Sequence, residues 1–139
     1  MSIKGKTALV TGSSRSLGKS IAISLAKSGA NVVINHRDSE DEAIEVAKEI
    51  EDLGVQSLVV QAEVSKKDDV LKMSETVHEK FGGVDILVNN VGTSAMVPFL
   101  DMTDEDWHQI IGINLHSFFY CTQTFIRHMV KNQWGRIIN

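Results

Sequence analysis

The sequence has one cysteine and one proline among its 139 residues. A lone thiol, Cys121, cannot close an intrachain disulfide, so a disulfide-stapled scaffold is excluded and a reducing compartment fits. Excess positive charge is also missing. The formal net charge of −4 gives no general attraction to nucleic acid or to an anionic membrane. No apolar run approaches the roughly 20 residues that a membrane-spanning helix needs. Met1 to Val10 contains no apolar stretch followed by a cleavage site. These absences point to a soluble cytoplasmic protein that binds neither nucleic acid nor membrane, and no metal site is expected. What remains is ordinary globular composition, 42% hydrophobic and 23% charged with ten glycines.

The apolar residues are arranged in two alternating rhythms. Thr7-Ala8-Leu9-Val10 is a short buried-strand pattern that ends at Gly12. A helical pattern follows, with Leu17, Ile21 and Leu25 four apart and Gly29 as a stop. Asn31 to Asn35 is β-branched and reads as a second strand. Ser39 and Glu42 have capping-box spacing and open a helix that ends near Gly54. Ser57 to Ala62 reads as a third strand. Ser65 and Asp68 are a second capping-box pair, before a helix closed by Gly82-Gly83. Val84 to Asn90 forms a fourth strand. Thr103 and Asp106 open one long helix toward Met129, and Gly135 to Asn139 begins a fifth strand. Strands alternating with amphipathic helices mean βαβ units and a parallel sheet. The expected fold class is α/β, a Rossmann-type doubly wound parallel sheet, truncated in or after the fifth strand. Residues 1–139 read as a single nucleotide-binding domain, incomplete at its C-terminus.

The first strand–helix junction reads Thr11-Gly12-Ser13-Ser14-Arg15-Ser16-Leu17-Gly18. Glycine lets the backbone turn sharply and approach a phosphate, while the helix N-terminus offers free N–H groups and partial positive charge. That is the setting for a dinucleotide pyrophosphate. The alternative is a tight turn in which Gly18 serves helix packing alone. Gly18-Lys19-Ser20 resembles the end of a P-loop, but five residues separate Gly12 from Gly18 where that motif has four. No later strand ends in the single Asp that would hold Mg²⁺, so nucleoside triphosphate binding is set aside.

At this loop the chain resembles the short-chain dehydrogenase/reductase family, whose T-G-x-x-x-G-x-G pattern is matched by Thr11, Gly12 and Gly18, with Ser16 in place of the middle glycine. The resemblance implies that Gly12, Ser13, Ser14, Arg15, Ser16, Leu17 and Gly18 surround the cofactor. The residues after the second strand meet the adenosine ribose in such folds, where an acid binds the 2′-OH of NAD and a nearby Arg accommodates the 2′-phosphate of NADP. Asn35-His36-Arg37 has no acid, and Arg15 lies on the same side as Arg37, so NADP(H) is the expected cofactor. Arg37 reads alternatively as a solvated loop cation paired with Asp38 or Glu40. Glu63-Val64 stands where the family has Asp-Val, which implies a contact from Glu63 to the adenine amino group. A plain surface carboxylate is the alternative there.

Asp85-Ile86-Leu87-Val88-Asn89-Asn90-Val91-Gly92 is the most specific stretch, an apolar strand that ends in two asparagines although Asn disfavours strands. Asn amides can tie neighbouring backbone and hold a strand end rigid. The stretch is similar to the family's N-N-A-G motif, with Val91 for Ala. That implies Asn90 and Gly92 beside the cofactor and Asn89 bracing the sheet. On the long helix, Trp107, Ile111, Leu115, Phe118, Thr122, Phe125 and Met129 form an apolar stripe that contains Asn114. Asn114 is either a satisfied core amide or, by the resemblance, the catalytic Asn that holds a water in a proton relay. The resemblance also implies that this helix contributes to a dimer interface, so a homo-oligomer, dimer or tetramer, is expected of the parent.

Within the family a Tyr gives the proton, a Lys four residues later assists it and a Ser orients the carbonyl. The only tyrosine here, Tyr120, is followed four residues on by Thr124, and it lies on the apolar helix. Asn114 is therefore the single catalytic candidate, and the 139-residue chain alone is expected to be inactive and poorly soluble. For the parent, the resemblance implies NADPH-dependent reduction of a small-molecule or acyl-carrier-bound carbonyl, as in the 3-oxoacyl-acyl-carrier-protein reductases of fatty-acid synthesis. Another short-chain dehydrogenase, such as a sugar or polyol dehydrogenase, and a non-catalytic nucleotide-binding module remain alternatives.

Overall fold

The computed structural model describes residues 2–94 and 96–139, so Met1 and Ala95 of the expected 1–139 unit lie outside the described residues. Five parallel strands form one sheet in the order β3-β2-β1-β4-β5. They are β1 Thr7–Val10, β2 Asn31–His36, β3 Ser57–Gln61, β4 Ile86–Val88 and β5 Arg136–Ile138. The connecting helices are α1 Ser16–Lys27, α2 Glu40–Glu51, α3 Lys67–Phe81, α4 Asp104–Ile111 and α5 Ser117–Lys131, with a short 3₁₀ turn at Phe99–Asp101.

Period-two side-chain alternation divides the strands between two cores. Ala8, Val10, Val32, Ile34, Ile86 and Val88 pack against Ala22 and Ala26 of α1 and Val46 and Ile50 of α2. Their neighbours Leu9, Val33, Leu87 and Val60 face Val70, Met73 and Val77 of α3 and Cys121, Phe125 and Met129 of α5. Each fully buried Leu, Ile or Val contributes about 1.5–3 kcal/mol relative to exposure. This two-sided burial is why the strands read as continuous apolar runs, and it makes the sheet doubly wound. β1 pairs with β2 on one side and β4 on the other, so successive crossovers leave β1 in opposite directions. A crevice opens at the carboxyl ends of these strands, where such folds bind ligands.

Several local expectations needed correction. In α1 the buried residues are Gly18, Ala22 and Ala26, with Ile21 and Leu25 flanking them, while Leu17 is 66% exposed. Small residues face the sheet because the helix lies close to it. Neither of the first two capping boxes forms. Ser39 precedes α2 without capping it, because its hydroxyl pairs with that of Ser14 at 2.6 Å. Ser65 donates to Glu63 Oε1 at 2.9 Å, and α3 starts at Lys67. Tertiary partners outcompete the local cap in both cases. At Thr103 and Asp106 the box is complete in both directions.

The expected single helix to Met129 is interrupted. Gly112–His116 forms a π-helical turn between α4 and α5. One extra residue per turn shifts the phase of everything beyond it. The apolar stripe therefore does not stay on one face. Ser117, Cys121, Phe125 and Met129 are buried, whereas Trp107 and Leu115 are each about half exposed, at 52% and 54%.

Candidate cofactor site

The crevice holds a cavity of about 520 Å³ walled by the glycine loop, the ends of β2 and β3, and the segment after β4. Gly12 turns the chain there with φ of +62°, a conformation that glycine adopts without strain. Gly18 is required for another reason. A Cβ on it would stand 2.3 Å from the Gly12 carbonyl oxygen and 2.7 Å from Asn90 Nδ2, so the loop and helix could not meet. Ser16, where the family has glycine, is held at φ +50°. The left-handed conformation that favours glycine is thus retained with a side chain present, at a cost of about 1–2 kcal/mol.

Two residues clasp the glycine loop to β4. The Thr11 hydroxyl, buried beneath the loop, accepts from the Asn90 N–H at 2.9 Å and the Val91 N–H at 3.0 Å. Asn90 Nδ2 reciprocates by donating to the carbonyls of Thr11 at 2.9 Å and Gly12 at 3.2 Å. These bonds end the ladder between β4 and β1 beyond Val88, where the apolar run gives way to Asn89 and Asn90. The Asn89 N–H still reaches the Ile138 carbonyl, and those of Asn90 and Val91 turn to the side chain that follows β1. Asn89 points elsewhere and donates to Thr122 at 3.3 Å and Asn139 at 2.9 Å, which ties β4 to α5 and to the residue after β5.

Asn35, marked in the sequence only by not being an acid, anchors the other side of the loop. Its Oδ1 accepts from the Gly12 N–H at 3.2 Å, and its Nδ2 donates to the Ala62 carbonyl at 3.1 Å. An amide at a buried strand end was the available signal, the same one that drew attention to Asn89 and Asn90. Ser13 is fully buried beside it. Its hydroxyl donates to the Val10 carbonyl at 2.7 Å and accepts from the Asn35 N–H, so it shapes the loop and does not line the cavity.

The cavity wall brings together Gly12, Ser14, Arg15, Ser16, Leu17 and Gly18 from the loop, Arg37 after β2, Glu63 and Val64 after β3, and Asn90 and Gly92 after β4. Arg37 is paired within the wall. Its Nε donates to Asp38 and its Nη1 reaches Glu63 Oε2 at 3.4 Å. Asp38, and then Glu63, raise the guanidinium pKa further above its usual range. The pairing with Asp38 anticipated for a loop cation is therefore present, and an anion arriving here competes with two carboxylates. Glu63 also accepts from the N–H and hydroxyl of Ser65, which fixes its carboxylate.

Asn114 is exposed, not part of an apolar core, and it sits in the π-helical turn. Its Oδ1 accepts from the Thr93 N–H at 2.9 Å and its Nδ2 donates to the Thr93 carbonyl at 2.8 Å. This two-point contact pins the segment after β4 to the helix. Thr93 and the adjacent Ile113 both face the cavity. Among the described residues no group of three or more His, Cys, Asp or Glu side chains is placed to hold a metal ion. No helix of the described residues is long and apolar enough to cross a membrane.

A parallel sheet with a glycine loop clasped at its switch point defines a protein of the Rossmann-type class. The chain belongs to the short-chain dehydrogenase family, whose model matches residues 6–139. It is 42% identical over 134 residues to a 3-oxoacyl-acyl-carrier-protein reductase FabG of Staphylococcus epidermidis, an alignment covering 96% of this chain and 55% of the relative. The FabG of Staphylococcus aureus is 40% identical over the same length, 96% of this chain and 54% of that one. A crystal structure from Sinorhizobium meliloti that carries the name short-chain alcohol dehydrogenase superposes with a TM-score of 0.91 at 34% identity. That superposition covers 98% of this chain and 54% of the other. The chain spans about half the length of the curated relatives it matches.

Proposed function

We propose that these residues form the NADP(H)-binding part of an oxidoreductase that reduces a carbonyl, of the 3-oxoacyl-acyl-carrier-protein reductase kind. The observation that carries the cofactor choice is the wall beyond β2, where Arg15 and Arg37 are both present and no carboxylate ends the strand. Two guanidinium groups can hold a 2′-phosphate by charge-assisted hydrogen bonds, while NAD relies on an acid at that strand end. The chain fits such a group. The glycine loop leaves the N-terminus of α1 open to a pyrophosphate, and the buried His36 at the end of β2 keeps Nδ1 without a partner.

When bound, the nicotinamide cofactor supplies the hydride. The residues of this chain then bind and orient. Loop N–H groups and the positive end of α1 meet the pyrophosphate, Arg15 and Arg37 meet the 2′-phosphate, and Glu63 and Val64 border the adenine. Asn90, Gly92 and the Thr93 segment held by Asn114 flank the nicotinamide side. Within these residues binding is expected without turnover, because Tyr120 is half-buried in α5 and has Thr124, not Lys, one turn later. Selection of an acyl-carrier-bound carbonyl rests on the relatives' names, and assembly into a homo-oligomer on the half-exposed Trp107, Leu115 and Phe119.

Calorimetric titration of the chain with NADPH and NADH tests the reading. Tighter binding of NADPH by tenfold or more, lost in Arg37→Ala, supports it. Equal affinities would refute the cofactor choice, and oxidation of NADPH on adding a ketone would refute binding without turnover.

A further inference from the structure

We infer that Glu63 is a built-in rival of the cofactor, a tethered carboxylate that occupies Arg37 and must be displaced by an arriving phosphate. The inference rests on the NADP(H) reading above and adds to it a residue that works against binding. Arg37 follows β2 and Glu63 follows β3, and they meet across the gap between the strand ends, with Nη1 of one 3.4 Å from Oε2 of the other. Both backbones are pinned. The Gln61 amide donates to the Arg37 carbonyl at 2.8 Å, and the Glu63 N–H donates to Asp69 Oδ2 at 3.2 Å. Exchange of partners therefore falls to the side chains. Glu63 is the better held of the two, because its Oε1 accepts from the Ser65 hydroxyl and its side chain is 19% exposed against 59% for Arg37. The pair belongs to the wall of the cofactor cavity and to that of a neighbouring cavity of about 360 Å³, so it stands on the divide between them.

A phosphate that takes Arg37 from Glu63 exchanges one charge-assisted hydrogen bond for another, so the guanidinium contributes only the difference between them. Glu63 is fixed beside Arg37 by the fold, so dilution never removes it and every binding event has to displace it. Asp38 is a different kind of partner. It is 71% exposed and adjacent to Arg37 in the chain, so it can follow the guanidinium toward a ligand, whereas Glu63 sits beyond another strand and is left behind. A nucleotide with a plain 2′-hydroxyl makes no claim on Arg37 and leaves the pair intact. The cost thus falls on phosphorylated nucleotides alone, and Glu63 holds their affinity and their selectivity below what Arg37 could supply.

The test measures the affinities of adenosine 2′,5′-bisphosphate and AMP by calorimetry on the 139-residue chain and two variants. Glu63→Asp keeps the charge and withdraws it from Arg37 by one methylene. Its affinity for the bisphosphate should rise about threefold, the scale of an exposed ion pair, with AMP affinity unchanged. Glu63→Gln, which keeps the length and removes the charge, should show the same rise. AMP binding reports in each case that the loop has folded. Bisphosphate affinities within about 1.5-fold of wild type in both variants would overturn the assignment. So would an equal rise for both probes, which a change of local field produces without competition. Loss of both probes from both variants would overturn it as well, because Glu63 would then support the wall and not oppose the ligand. Each of these outcomes leaves the NADP(H) reading intact. A wild-type chain with no preference for the bisphosphate would overturn that reading and this assignment with it.

Discussion

Replacing Thr11 by valine removes the hydroxyl of the clasp and keeps the branched shape. Two N–H donors, those of Asn90 and Val91, then lose their acceptor, together with a long bond of 3.4 Å from the hydroxyl to the Val88 carbonyl. A typical intramolecular hydrogen bond contributes about 0.5–1.5 kcal/mol net, and a donor left buried costs about 1–3 kcal/mol. Both donors belong to half-buried residues, so water reaches them in part and the lower range applies. The expected loss is about 2 kcal/mol. With a urea dependence of about 1–3 kcal/mol per molar for a small protein, the unfolding midpoint should fall by roughly 1 M. Fluorescence of Trp107 and Trp134 during urea titration reads the midpoint. Thr11→Ser, which retains the hydroxyl, should keep most of the stability that valine loses. A valine variant within about 0.5 kcal/mol of wild type, or a serine variant no better than valine, would refute the clasp as the source of the stability.

Ser16→Gly relieves a left-handed residue at φ +50° and, after the entropy that glycine adds to the unfolded chain, should stabilise by about 0.5–1 kcal/mol, read from the same urea midpoint. Gly18→Ala places a Cβ 2.3 Å from the Gly12 carbonyl oxygen and should abolish NADPH binding by calorimetry, whereas Gly54→Ala, with open space around it but a left-handed φ of +84°, should cost stability and keep the binding. Burial pushes the Cys121 thiol up to about 12, so an aromatic disulfide reagent at pH 8 should leave it unmodified in the folded chain and label it fully in urea.

Much of the fold was legible because both sheet faces are covered. Leu9, Val33 and Leu87 face one core while Val10, Ile34 and Val88 face the other, and uninterrupted apolar runs follow. The loop from Gly12 to Gly18 and the Asn89-Asn90 pair stood out because their residue types contradict their surroundings. The two failed caps show what local spacing does not carry. Ser39 and Ser65 had the right neighbours in sequence, and partners from Ser14 and Glu63 took their hydroxyls. The role of Asn35 was hidden for a related reason. A strand-end residue shows its partners only once β1 and β3 are laid beside it.

The π-helical turn at Gly112–His116 has a mechanical consequence. By inserting a residue, it turns the face that α5 presents relative to the face of α4, as a keyed coupling offsets two shafts. α5 is locked to the sheet by Cys121, Phe125 and Met129, while no residue of α4 is buried. The segment after β4 meets this turn through one amide, Asn114, which holds both the N–H and the carbonyl of Thr93. Any molecule that fills the crevice beside Thr93 and Ile113 therefore meets the helix at the turn where its phase changes.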